Sequence, residues 1–185
     1  MGRKGIGLVL FFLTYVALTT QVQGQNTRRV TASYSNNEID NYDFLYADDE
    51  HDFTDEDLID LIMEEAFTHI GARYRSGGKG PNAFDCSGFT SYVFNQSDYS
   101  IGASSRDQYA KNIPVKRSDM RRGDLVFFTS PRSGSNVGHV GIVVDVNPQT
   151  QTFTFIHAST NHGVIVSNST DGFYSRRFVG VRRVF

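Results

Sequence analysis

The sequence predicts an α+β fold, with N-terminal helices packed on an antiparallel sheet of five to six strands. Two observations carry this. A capped, amphipathic helical stretch and a second, Cys-initiated helical stretch occupy the first half of the ordered region. From Asp124 to Phe185, by contrast, the chain is a series of short apolar runs separated by turn formers.

Order is expected from Thr54. Thr54-Asp55-Glu56-Asp57 has the form of a capping box, with acidic side chains in the positive first turn. Leu58, Leu61, Ile62, Ala66 and Ile70 follow at helical spacing, interrupted only by Glu65, and Gly71 stands at a stop position. His69 reads as a packing or surface residue. Turn formers dominate from Tyr74 to Asn82. A second helix is predicted from Asp85 or Cys86 to about Asn95, and a helical or irregular stretch from Ser104 to Ile113. The expected strands are 124–128, 138–146, 152–158, 164–167 and 178–185, with a turn at 147–151.

Upstream of this domain the chain reads differently. Arg3 and Lys4 precede an apolar run from Ile6 to Leu18, too short for a comfortable membrane span, and Val22-Gln23-Gly24 suits a signal peptidase. Residues 1–24 therefore read as a secretory signal that leaves no stable membrane insertion after cleavage. Residues 25–53 read as a flexible acidic leader, since Glu38 to Asp57 holds ten Asp or Glu and no Lys or Arg. The remaining residues, 54–185, form one domain. A net charge of −2 over 185 residues gives no basic balance that would imply nucleic acid as a partner.

Cys86 is the only cysteine, in a chain read as exported, where cysteines usually pair as disulfides. Its place at a helix N-terminus favours a negative charge. A thiol of ordinary pKa about 8.5 is expected to fall there by a unit or more. Gly88 would let a neighbouring segment approach closely.

Strand parity suggests the partner groups. His139, Gly141 and Val143 share one face of their strand, as do Phe153, Phe155 and His157 of the next. An odd hairpin loop would put both imidazoles on one side of the sheet, opposite or diagonal to each other. One could then take the thiol proton while the other fixes its ring.

Four ordered motifs carry a resemblance. Asp85-Cys86-Ser87-Gly88-Phe89, Arg122-Gly123-Asp124-Leu125-Val126-Phe127-Phe128, Gly138-His139-Val140-Gly141-Ile142 and Phe155-Ile156-His157-Ala158-Ser159 resemble the NlpC-type bacterial cell-wall peptidases, which are papain-like cysteine hydrolases. The likeness extends from about Leu58 to Phe185. It implies Cys86 as nucleophile, His139 as base and His157 as orienter, with no cofactor. It further implies Tyr74, Asp85, Ser87, Ser104 and Ser105 as substrate-binding residues. The implied substrate is a peptidoglycan stem peptide, cut at the D-glutamyl to diamino acid bond or at the D-Ala cross-link by an exported monomer. Two positions depart from the family pattern. Ala103 stands where Arg often precedes the hydroxyl pair, and Ser76 stands near a frequent Trp.

Three rival readings use the same residues. Cys86, His139 and His157 could bind zinc, though no CxxC or HxxxH pair supports it. The fold could serve a related amidase or acyltransferase. It could also be a non-catalytic wall-binding module, against which the intact Cys-His-His set argues.

Overall fold

A computed structural model of the chain describes residues 52–185. The signal segment and nearly all of the acidic leader read from the sequence lie outside the described residues. The first helix, α1 (Asp55–Thr68), opens on the expected capping box: Thr54 Oγ1 accepts from Asp57 N, and the Asp57 carboxylate accepts from Thr54 N. Its buried face differs from the one the periodicity suggested. Ile59, Ile62, Met63 and Ala66 are buried, whereas Leu61 and Ile70 are 49% and 48% exposed. Ile59, Ile62, Met63 and Ala66 all join the core beneath the helices, and Ile59 lies over Gly123, where any Cβ would stand 3.1 Å from its Cγ1. Glu65, the break in the apolar stripe, hydrogen-bonds His69 at 2.9 Å. His69 in turn packs edge-on against Phe84 and Tyr92, in the packing role read for it.

Two short parallel strands, β1 (Arg73–Tyr74) and β2 (Ala83–Phe84), bracket the glycine-rich turn. Helix α2 (Cys86–Asn95) follows at once, with Asp85 as N-cap accepting from Gly88 N at 2.6 Å. Gly88 is required: a Cβ there would lie 1.9 Å from the Gly78 carbonyl oxygen, which accepts from Asp85 N. Helix α3 (Ser105–Lys111) is capped by Ser104. The fully buried Gln108 locks it to α2, accepting from Thr90 Oγ1 and donating to Ser87 O and Ser91 Oγ.

The sheet has six antiparallel strands. They are β3 (Ile113–Val115), β4 (Leu125–Thr129), β5 (Val137–Asn147), β6 (Thr152–Ser159), β7 (Gly163–Asn168) and β8 (Phe178–Arg183), in the spatial order β3-β8-β4-β5-β6-β7. Strand β3 went unread in the sequence, because three residues carry too little pattern to register. The sheet is buried on both faces, which is why β4 reads as an unbroken apolar run. Leu125 and Phe127 join Val140, Ile142 and Ile156 beneath the helices, while Val126 and Phe128 join Val143, Phe153 and Phe155 on the other side. Each fully buried side chain of this size contributes roughly 1.5–3 kcal/mol. A short helix, α4 (Gly172–Ser175), places Tyr174 against the second layer. Buried Asp124 accepts both Arg183 Nε and Nη2, at 2.8 and 2.9 Å, fastening β8 beside β4.

The β5–β6 hairpin corrects one premise. Asn147 pairs with Thr152, so its loop holds an even number of residues. Continued unbroken, that register would put His139 and His157 on opposite faces. A bulge between Val143 and Asp145 inserts one residue, and beyond it Ile142 pairs with Ile156. One step on, Gly141 lies across from His157, and the two histidines return to the same face.

Candidate active site

The histidines stand on the face of the second layer. His157 is fully buried and stacks on Phe155 at 4.8 Å between centroids. Gly141 makes room for it, since a Cβ there would lie 3.1 Å from His157 Cβ and 2.8 Å from the Phe155 ring. His139 Nε2 and His157 Nδ1 are 2.9 Å apart. His157 Nε2 then meets Ser167 Oγ at 2.9 Å and Tyr174 Oη at 3.3 Å. Burial pushes His139 down to about 4 and His157 down to about 2, the latter with help from the neighbouring His139. His139 is partly exposed and lines the cleft. Both rings are neutral at pH 7.

Cys86 and His139 line one open cleft of about 1100 Å³. Around the sulfur, the backbone N–H groups of Ser87, Val140 and Cys86 itself act as donors. They do not lower the thiol overall. Burial first, and the adjacent Asp85 carboxylate second, push the Cys86 thiol above its ordinary value. This corrects the depression expected from the helix terminus alone. The helix end supplies favourable amides, but the desolvation that comes with tertiary packing outweighs them.

Tyr74, Ser104 and Ser105 reach the same cleft. Burial first, and then the charges of Cys86 and Asp85, push the Tyr74 phenol up, against the opposing effect of Arg132, so it stays an O–H donor. Asp85 and Ser87 are placed differently from their expected contact with substrate. Ser87 Oγ donates to Asp85 Oδ1 at 3.0 Å, and the carboxylate caps α2. Neither is among the residues lining the cleft, because both are held at the start of the helix behind the thiol.

Several cleft residues were not singled out from sequence. Arg106 anchors its Nε on Val137 O at 3.3 Å beside the cleft. Ser159, Asn161 and His162 line another part of the wall. Ser167 was accessible to parity: His157 pairs with Ile165, so Ser167, two residues on, shares the His157 face. Tyr174 had no such signal, since it arrives from a separate helical turn. Among the described residues, no three His, Cys, Asp or Glu side chains group as a metal site would require. Likewise, no helix among them is long and apolar enough to cross a membrane.

Helices that present a cysteine to an antiparallel sheet bearing a histidine pair define a papain-like α+β domain. The chain belongs to the NlpC/P60 family, whose sequence pattern matches residues 71–183. It is 41% identical over 123 residues to the "Probable endopeptidase p60" of Listeria grayi, covering 66% of this chain and 22% of that protein. It is 37% identical over 129 residues to the "Murein DD-endopeptidase MepS/Murein LD-carboxypeptidase" of Escherichia coli K12, covering 69% of this chain and 64% of that one. Thus the chain spans less than a quarter of the p60 protein and just under two thirds of MepS. Among solved structures, an NLP/P60 family protein of Staphylococcus aureus aligns with a TM-score of 0.62 at 31% identity, covering 72% of this chain and 43% of that one. The NlpC/p60 domain of the peptidoglycan hydrolase SagA aligns with a TM-score of 0.55 at 31% identity, covering 68% of this chain and 97% of that domain.

Proposed function

We propose that this protein is an exported cysteine endopeptidase that hydrolyses amide bonds of peptidoglycan stem peptides, with Cys86 as nucleophile, His139 as base and His157 as orienter. One observation carries the reading. His139 commits Nε2 to His157, and its Nδ1 has no hydrogen-bond partner among the described residues, on the wall of the cleft that Cys86 also lines. A base held by one nitrogen and open at the other, beside a thiol, is the arrangement nucleophilic catalysis needs.

The pKa directions shape the mechanism. A raised thiol beside a depressed imidazole makes a neutral resting pair rather than a preformed thiolate–imidazolium. His139 Nδ1 takes the proton as Cys86 Sγ attacks the amide carbon. In this reading the Cys86 N–H and the Tyr74 O–H serve the oxyanion, and one such donor is typically worth about 3 kcal/mol. The tetrahedral intermediate collapses, His139 passes its proton to the leaving amine, and a thioester remains. Water, deprotonated by His139, then releases the acid and restores the thiol.

Two bonds suit this chemistry, the D-glutamyl to diamino acid bond and the D-Ala cross-link. Similarity to a relative named as a DD-endopeptidase supports the cross-link. In this reading residues 1–24 are removed on export, 25–53 form the leader, and 54–185 act as a monomer at the cell wall. Digestion of purified cross-linked muropeptides tests it, with product masses compared against Cys86→Ala. Cross-link cleavage splits a dimer into monomers, whereas D-glutamyl cleavage shortens each stem. Unchanged masses, or equal cleavage by Cys86→Ala, would refute the assignment.

A further inference from the structure

The hydrogen-bonded chain does not end at the second histidine. For His139 Nδ1 to accept a proton, the neutral ring must carry its hydrogen on Nε2. That N–H donates to His157 Nδ1 at 2.9 Å, so His157 Nδ1 must hold a lone pair. His157 must then carry its own hydrogen on Nε2, inside a fully buried ring. Such a donor needs an acceptor, and the structure supplies two: Ser167 Oγ at 2.9 Å and Tyr174 Oη at 3.3 Å.

We propose that Ser167 and Tyr174 are positioning residues that select the catalytic tautomer of the histidine pair, by accepting the Nε2 hydrogen of His157. The inference rests on the roles given above to Cys86, His139 and His157.

The alternative tautomer shows why selection matters. If His157 moved its hydrogen to Nδ1, that nitrogen would face His139 Nε2 as a donor. His139 would then hold its lone pair on Nε2 and its hydrogen on Nδ1. The ring could no longer take a proton from the thiol, although every heavy atom would stay in place. Two hydroxyl oxygens face that one nitrogen: as an N–H it meets lone pairs on both, whereas its single lone pair could take a hydrogen from only one of them, which disfavours that arrangement. Each partner is itself held. Ser167 lies on β7, two pairs beyond the His157–Ile165 pair and opposite Phe155. Tyr174 lies on α4, whose first turn is tied by Asp171 Oδ1 accepting from Phe173 N at 2.8 Å. The Tyr174 ring also packs on both imidazoles, stacked on His139 with an interplanar angle of 26° and edge-on to His157 at 70°.

The test reads the tautomer directly. Imidazole nitrogens of 15N-labelled full-length protein are observed at pH 7 by long-range 1H–15N correlation, for wild type and for Ser167→Ala, Ser167→Ala/Tyr174→Phe and Ser167→Thr. Turnover of cross-linked muropeptides is measured in parallel. The expected wild-type spectrum has His157 protonated on Nε2 and bare on Nδ1. In the double variant the Nδ1–H form should appear, with kcat lower by about 10- to 100-fold and KM within about twofold. Ser167→Thr, which keeps the hydroxyl, should restore both the spectrum and kcat. Should Ser167→Ala fold poorly, the near-isosteric Ser167→Cys, a weak acceptor, replaces it. A double variant that keeps the Nε2–H form, or one that loses it with unchanged kcat, overturns the proposal. If wild type turns over no muropeptide, the peptidase reading fails separately. The spectrum, with the rate of Cys86 alkylation by iodoacetamide in place of kcat, then decides the tautomer question alone.

Discussion

Gly141→Ala probes the geometry on which the histidine pair depends. The added methyl would stand 2.8 Å from Phe155 Cδ2, 2.9 Å from the Ile156 carbonyl oxygen and 3.1 Å from His157 Cβ. Ordinary contacts to a methyl carbon lie near 3.5–4.0 Å. At least one neighbour must therefore retreat by roughly half an ångström or more. The Ile156 oxygen belongs to the β5–β6 ladder and gives little, and the Phe155 ring is wedged against Phe128 and Tyr174. His157 is left to move, and its 2.9 Å bond to His139 stretches with it. Overpacking of this kind costs about 1–3 kcal/mol of stability. Displacing a catalytic group by about an ångström can lower turnover by about a hundredfold, so a half-ångström shift should lower kcat by about tenfold. Urea denaturation gives the first quantity and muropeptide turnover the second. A variant with wild-type stability and wild-type kcat would refute the placement of Gly141 against His157.

Further outcomes are expected. Native Cys86 should react with iodoacetamide with a rate midpoint above the ordinary free-thiol value of about 8.5, because burial and Asp85 hold the thiol up; a midpoint near pH 6 would show a preformed ion pair instead. Stability should fall as pH drops from about 6.5 towards 4. Over that window the unfolded chain binds protons at its histidines that folded His139 and His157, at about 4 and about 2, refuse. Urea midpoints at pH 7.5, 6.5 and 5.5 would check this, and His157→Gln should flatten the slope. Asp124→Ala should cost about 3–5 kcal/mol by stranding the partly buried Arg183 guanidinium, and a loss below about 1 kcal/mol in the same assay would remove the pair from the account of β8 docking. Gly88→Ala should prevent a native α2 start, since its methyl meets the Gly78 carbonyl oxygen at 1.9 Å; a well-folded, active variant would contradict that close approach.

Local patterns in the sequence determined much of this protein. The Thr54 capping box, the helix beginning at Cys86 with Asp85 before it, and the strands from Leu125 onward depend on neighbours within a few residues, so composition and spacing reveal them. Other features depend on groups that only folding brings together. The face α1 buries is the one that meets α2 and the sheet in the core, with Ile59 over Gly123, more than fifty residues away in the chain. The direction of the Cys86 shift was set by burial, which no helix-end argument contains. Ser167 and Tyr174 reach His157 from two later elements. Above all, the even loop between β5 and β6 would have separated the two histidines. Only the bulge between Val143 and Asp145 returns them to one face, because side chains alternate with period two and one extra residue reverses every orientation beyond it.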